Sequence, residues 1–88
     1  SDFPTQQLLI SPNPSNGQAT VSFELTAPTT VEITLSNILG VTTETLYTGP
    51  LDAGLHALPF DLTSASGHYF CKVKFGEKYM VGSIIIER

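Results

Sequence analysis

The chain has no tryptophan, a single cysteine, and no lysine or arginine before residue 72. One cysteine, Cys71, excludes an internal disulfide, so the fold must hold by packing alone. Its apolar neighbours predict a small buried hydrophobe rather than a reactive thiol. No apolar run approaches the ~20 residues that a helix needs to cross a bilayer. The net charge of −4 argues against a general nucleic-acid binder, which needs surplus Lys and Arg for phosphate contacts. Asp-x-Asp, His-x-x-x-His and Cys-x-x-Cys spacings are missing, so the sequence predicts no metal site. The glycines Gly40, Gly49, Gly54, Gly67, Gly76 and Gly82 fall at turns or within strand patterns, never as a phosphate loop opening a helix, and no cofactor is predicted. Asn13-Pro14-Ser15 is no glycosylation acceptor, because proline occupies its middle position.

What remains is a chain of 88 residues, 41% apolar and 14% charged, in the range of one small globular domain. A domain of this size buries only about 60–65% of the surface its unfolded chain exposes, leaving little interior for a deep cleft. The chain begins Ser-Asp-Phe-Pro rather than with Met and shows no charged-then-apolar leader, which predicts a piece of a longer polypeptide. Residues 1–7 are expected to form a linker or N-terminal extension, and residues 8–88 the domain. The charges are unevenly placed. Lys72, Lys74, Lys78 and Arg88 all fall in the last 17 positions, beside only Glu77 and Glu87. Such asymmetry fits solvated strand faces, and it also fits a C-terminal surface that a partner reads.

Period-two alternation broken by turn residues runs through the chain, the mark of half-buried strands. Val21, Phe23 and Leu25 alternate with Ser22 and Glu24. Val31, Ile33 and Leu35 repeat the code, with Ala27-Pro28-Thr29 as the connection between the two. A Thr-rich strand is expected from Thr43 to Tyr47, ending at Gly49-Pro50. A fifth strand opens at Gly54 and places His56, Leu58 and Phe60 on one face. A sixth opens at Ser66-Gly67, with Tyr69, Cys71, Val73 and Phe75 alternating against His68, Phe70, Lys72 and Lys74. Gly76-Glu77-Lys78 suits a hairpin, leading to a last strand over 79–87 that is apolar on both faces through Ile84-Ile85-Ile86. Leu8-Leu9-Ile10 adds a short first strand. Only Leu35 to Gly40 is ambiguous between strand and helix. Seven short strands predict an all-β, immunoglobulin-like sandwich, and Gly67-His68-Tyr69-Phe70-Cys71 resembles its tyrosine corner.

The groups that chemistry would need are sparse. His56 reads as a half-buried strand residue and His68 as an exposed one. His68 and Cys71 are three apart on one strand and so point to opposite faces, which excludes a Cys–His pair. Asp52 and Asp61 flank the fifth strand, and Asp61 reads as a turn residue capping local backbone. The sequence thus predicts a domain with no catalytic site of its own.

Ile10-Ser11-Pro12-Asn13-Pro14-Ser15-Asn16-Gly17, followed by Val21-Ser22-Phe23-Glu24-Leu25, is the most distinctive feature. Two prolines fix φ and Asn-Gly permits a tight turn, giving a rigid lead-in. This segment strongly resembles the opening of the type A C-terminal sorting domain of the Bacteroidetes type IX (Por) secretion system. Further blocks are similar in the same order: Val31 to Gly40 to a strand ending in a Leu-Gly turn, Ala53-Gly54-Leu55-His56 to an Ala-Gly-x-His strand start, Ser66 to Phe70 to a Ser-Gly-x-Tyr block. Gly76-Glu77-Lys78 and Ile84 to Arg88 look like the closing hairpin. The likeness covers roughly residues 8–88.

The resemblance implies an immunoglobulin-like sandwich that follows a secreted cargo domain and carries it through the periplasm and across the outer membrane to the cell surface or beyond. The implied partners are the type IX translocon and a sortase-like surface peptidase that removes the domain. The family's signal lies largely in the last strand, which here implies translocon recognition by Lys78, Met80, Val81, Ile84, Ile85, Ile86 and Arg88. One departure stands out: many members carry Lys or Arg just before the final apolar run, where this chain has Gly82-Ser83. Two alternatives stand beside this reading. A passive accessory module of an extracellular hydrolase would bind carbohydrate through Tyr47 and Tyr79, and an enzyme would turn over substrate as an isolated domain. The apolar last strand is also a candidate edge for weak self-association.

Overall fold

The computed structural model describes residues 8–11 and 16–87. The expected extension 1–7, the Pro-Asn-Pro lead-in at 12–15, and Arg88 lie outside these residues. Seven strands follow in chain order: β1 (Leu9–Ser11), β2 (Gln18–Leu25), β3 (Thr29–Asn37), β4 (Thr42–Leu51), β5 (Gly54–Asp61), β6 (Gly67–Phe75) and β7 (Lys78–Ile86). They form two antiparallel sheets, one ordered β1-β2-β5 and the other β4-β3-β6-β7. The all-β sandwich of the sequence reading is therefore present, with its seven strands split three and four.

The alternation of apolar residues sets which face each strand buries. Val21, Phe23 and Leu25 come from β2, and Val31, Ile33, Leu35, Cys71, Val73, Ile84 and Ile86 from the opposing sheet, each at most 2% exposed. Leu62 closes one end of this core. Burying an aliphatic side chain contributes about 1.5–3 kcal/mol, so these positions dominate the stability. β4 and β5, each at one edge of its sheet, contribute only half-buried side chains.

The first and last strands shift by one residue from the sequence reading, to Leu9–Ser11 and Lys78–Ile86, and the edge position explains the larger difference in the fourth. Gly49-Pro50 does not end the fourth strand, which runs on to Leu51. Proline lacks an N–H, but on an edge strand that donor can face outward, where no ladder partner is lost. Pro59 inside β5 sits on the other edge by the same logic.

The ambiguous segment before Gly40 resolves as strand and turn. β3 ends at Asn37, whose carbonyl accepts from Gly40 N (2.9 Å) while its N–H donates to Val41 O (2.9 Å). The Asn37 side chain locks the turn, its Oδ1 accepting from the backbone of Leu39 (2.9 Å) and Val41 (3.1 Å). Gly40 has φ +85°, the left-handed conformation that follows a type I turn in a three-residue hairpin loop. At the β6–β7 connection Gly76 has φ +62°, while Glu77 keeps negative φ, the pattern of a two-residue type II′ turn. This turn fixes the register Phe75↔Lys78 and hence every cross-strand pair of β6 and β7.

Two tertiary ties close the end of the sandwich where the chain passes from β5 to β6. The Tyr69 hydroxyl donates to Ala65 O at 2.8 Å, the tyrosine corner anticipated from the sequence, formed without a disulfide beneath it. Glu44 makes the other. β-Bulges in the β3–β4 pairing shift the register between Ile33 and Thr34 and again between Leu35 and Ser36. An extra residue reverses the facing of all that follow it, and here it aims Glu44 at the crossing chain. Its Oε2 accepts from Thr63 N (3.0 Å), Ser64 N (2.9 Å) and Ser64 Oγ (2.6 Å). Burial pushes this carboxyl up, but the Ser64 hydroxyl and the two amides outweigh it and hold the group below its ordinary 4.5. Asp61, expected to cap local backbone, instead accepts from Gln18 Nε2 at 3.2 Å across the β2–β5 pair. Glu44 from β4 caps that backbone.

Candidate recognition surface

β6 and β7 carry the chain's described basic residues, and the pleat divides their side chains between two surfaces. On β7 the even positions point inward. Ile84 and Ile86 are 1% exposed, Met80 packs against the core, and Gly82 lies under β1. A Cβ at Gly82 would stand 3.1 Å from both Ile10 Cδ1 and Leu8 Cδ2, so those two side chains fill the space a larger residue would need. The departure from the family pattern thus divides in two. At position 82 a side chain would press on Ile10 and Leu8, which would have to give way, and position 83 lies on the outer face.

The odd positions of β7 point outward, with Tyr79 61%, Val81 51% and Ile85 41% exposed. In register with them on β6 stand Lys74 opposite Tyr79, Lys72 opposite Val81, Phe70 opposite Ser83, and His68 opposite Ile85. Diagonal neighbours also meet, with Lys72 Nζ 4.6 Å from the Tyr79 ring centroid. The rings of His68 and Phe70 lie 5.2 Å apart. Beyond β6, the outward residues of β3 are Glu32 opposite Lys74, Thr34 opposite Lys72, and Ser36 opposite Phe70. Together with Gly40 and Thr42 they line a shallow groove of about 280 Å³ with Lys72 and Lys74 along one side.

Of the residues expected to carry recognition, Val81 and Ile85 share this outer face, and Lys78 is exposed where β7 begins. Met80, Ile84 and Ile86 belong to the interior, and Arg88 lies outside the described residues. The sequence reading passed over the β6 side chains beside them. The signal that could have found them was its own alternation, because Phe70, Lys72 and Lys74 share the parity that faces away from Cys71.

The other candidates separate. His68 is exposed while Cys71 is 1% exposed, so the two do face opposite sides. Burial pushes the Cys71 thiol up to about 12, far from a thiolate at neutral pH. Asp52 and Asp61 lie beyond and at opposite ends of β5, roughly 25–30 Å apart along the strand. His56 is half-buried with its ring 5.6 Å from Phe23, its Nε2 2.7 Å from Asp52 O. Tyr47 and Tyr79 stand on opposite edges of one sheet, three strand spacings or roughly 14 Å apart. Tyr47 packs toward the core, and its hydroxyl donates to Pro50 O (3.1 Å), so the two rings form no shared stacking platform. Among the described residues no three His, Cys, Asp or Glu side chains converge, and no helix is long and apolar enough to cross a membrane.

Compared with known protein families, residues 9–87 match the secretion system C-terminal sorting domain. No curated protein matches the chain.

Proposed function

The chain belongs to the secretion system C-terminal sorting domain family, the sorting signal of type IX secretion, and on that premise we propose that it is read as a folded tag through the side chains β7 exposes. Domains of this family follow an N-terminal cargo and direct it by the type IX system to the cell surface or into the medium. The carrying observation is the match over residues 9–87, which spans every strand from β1 to β7 rather than the terminal strand alone.

In this reading the residues first assigned to translocon recognition divide into two roles. Lys78, Val81 and Ile85, with Arg88 following, meet the translocon. Met80, Ile84 and Ile86 serve recognition indirectly, by holding β7 against the core so that its odd positions are displayed. The domain performs no turnover itself. A sortase-like surface peptidase acts on the cargo side after translocation, leaving the cargo anchored or released.

The test is a fusion of this chain to the C-terminus of a periplasmic reporter in a type IX-secreting bacterium. Delivery of the reporter to the surface or medium, lost in a translocon-deficient strain, is the expected result. A reporter that stays periplasmic in both strains refutes the reading. Deleting Ile84 to Arg88 is expected to trap the reporter in the periplasm. That deletion also removes two core side chains, so it does not separate reading from folding.

A further inference from the structure

Large apolar side chains exposed singly need no explanation, but exposed neighbours on one face do. Phe70, Tyr79, Val81 and Ile85 are 37–61% exposed and lie on the outer face of two adjacent strands in fixed register. From Tyr79 to Ile85 the strip runs roughly 20 Å along β7. Aromatic and aliphatic side chains exposed together beside charge have the composition of a protein-binding surface.

Lys72 and Lys74 project outward from β6 on this face, with Glu77 in the hairpin turn and Glu87 just past β7. Lys78, opposite Phe75, starts β7 with the inner parity and is exposed at the end of the sheet. Among the described outward residues of β3, β4, β6 and β7, the acid is Glu32, opposite Lys74. The opposing sheet carries the contrary sign, with Glu24 on β2 opposite Leu55 and Asp52 and Asp61 around β5. The molecule is therefore electrically two-sided. A negatively charged partner is drawn to the β6–β7 face and turned away from the other, which orients the encounter before contact.

We propose that the type IX machinery docks on this two-strand face through a protein surface in which carboxylates flank an apolar contact, rather than reading the end of the chain as a linear tag. The proposal rests on the sorting function above and names the partner's chemistry. Lys72 and Lys74 meet the partner's carboxylates, while Tyr79 and Val81, opposite them on β7, are desolvated by the contact. The Lys72 ammonium over the Tyr79 ring holds both side chains in place before docking, which lowers the ordering cost of binding. The β6 side chains make the surface conformational, since it exists only when β6 and β7 are paired.

The test uses the intact parent chain in a type IX-secreting host, with two double variants, Tyr79→Ser/Val81→Ser and Lys72→Glu/Lys74→Glu. Leu55→Ser is the control, since Leu55 is 82% exposed on the other sheet. All are first shown to melt with wild-type cooperativity. Both double variants are expected to reduce delivery by about tenfold or more, with the chain accumulating in the periplasm, whereas Leu55→Ser is delivered normally. Binding of the purified chain to purified translocon should also weaken as salt is raised, and lose that dependence in Lys72→Glu/Lys74→Glu. Folded double variants delivered like wild type overturn the proposal and leave the sorting function standing. Wild-type delivery that does not need the translocon overturns both. Two further results would assign the face to other occupants and overturn the proposal: binding to phosphatidylglycerol vesicles that only the lysine variant loses, or a dimer in sedimentation that only Tyr79→Ser/Val81→Ser dissociates without loss of delivery.

Discussion

Replacing Ile84 with alanine tests whether the apolar run Ile84-Ile85-Ile86 is divided between core and surface. Ile84 is 1% exposed, so the change removes three buried carbons at roughly 0.8 kcal/mol each. The unfilled space adds about another 1 kcal/mol, because the surrounding core relaxes only in part. The expected loss is therefore about 3–4 kcal/mol. An 88-residue domain at roughly 0.05–0.15 kcal/mol per residue holds about 4–13 kcal/mol in all. The variant should unfold at a urea midpoint about 2–3 M lower, taking a slope of about 1.5 kcal/mol per M. Ile85→Ala, one residue along at 41% exposure, should cost less than about 1 kcal/mol and shift the midpoint by under about 1 M. Far-UV circular dichroism is the suitable probe, since the chain has no tryptophan to report by fluorescence. Equal shifts from the two variants, or a larger one from Ile85→Ala, would refute the division.

Removing the tyrosine-corner hydroxyl by Tyr69→Phe takes one hydrogen bond from Ala65 O and should lower stability by about 0.5–1.5 kcal/mol in the same titration; no change would mean the corner is redundant. Glu44→Ala should cost about 1–3 kcal/mol at neutral pH, where the carboxylate is charged and accepts from Thr63 and Ser64. Because the folded Glu44 pKa lies below 4.5, its contribution is complete above that pH and is lost as the pH falls through the depressed folded value. The gap between variant and wild type should close under acid, and a gap that is constant or widens contradicts the staple. Cys71, with its thiol pushed up to about 12, should resist iodoacetamide in the folded domain and react only as urea unfolds it. Rapid labelling of the native chain would show that the thiol is accessible.

The strands with clean alternation were legible because a strand buried on one face must alternate. β2, β3 and β6 did so, and the parity of β6 even separated His68 from Cys71 without coordinates. β4 was less legible. Its two bulges break the period, so Thr42-Thr43-Glu44-Thr45-Leu46-Tyr47 carries no single face, and its edge location made a proline admissible where the sequence suggested an end. Glu44 escaped notice for the same reason. Its partners Thr63 and Ser64 lie about 20 residues away and meet it only after the bulges turn it. The resemblance directed attention to β7 as a run of residues, whereas the register of the β6–β7 hairpin brings Phe70, Lys72 and Lys74 into the same surface. Cross-strand neighbours are set by the turn at Gly76-Glu77, and no linear motif records them.

The period-two division of β7 has a consequence for how the strand tolerates change. It carries two texts interleaved letter by letter, one spelled by Met80, Gly82, Ile84 and Ile86 and the other by Tyr79, Val81, Ser83 and Ile85. A substitution alters one letter of one text and leaves the other intact. Losing Val81, for example, exchanges them beyond that point, setting Ser83 in the place of Gly82 and Glu87 in that of Ile86, while Ile85 takes over from Ile84. Spelling errors are local here, and a frame error runs to the end of the strand, softened only where isoleucine is written in both texts.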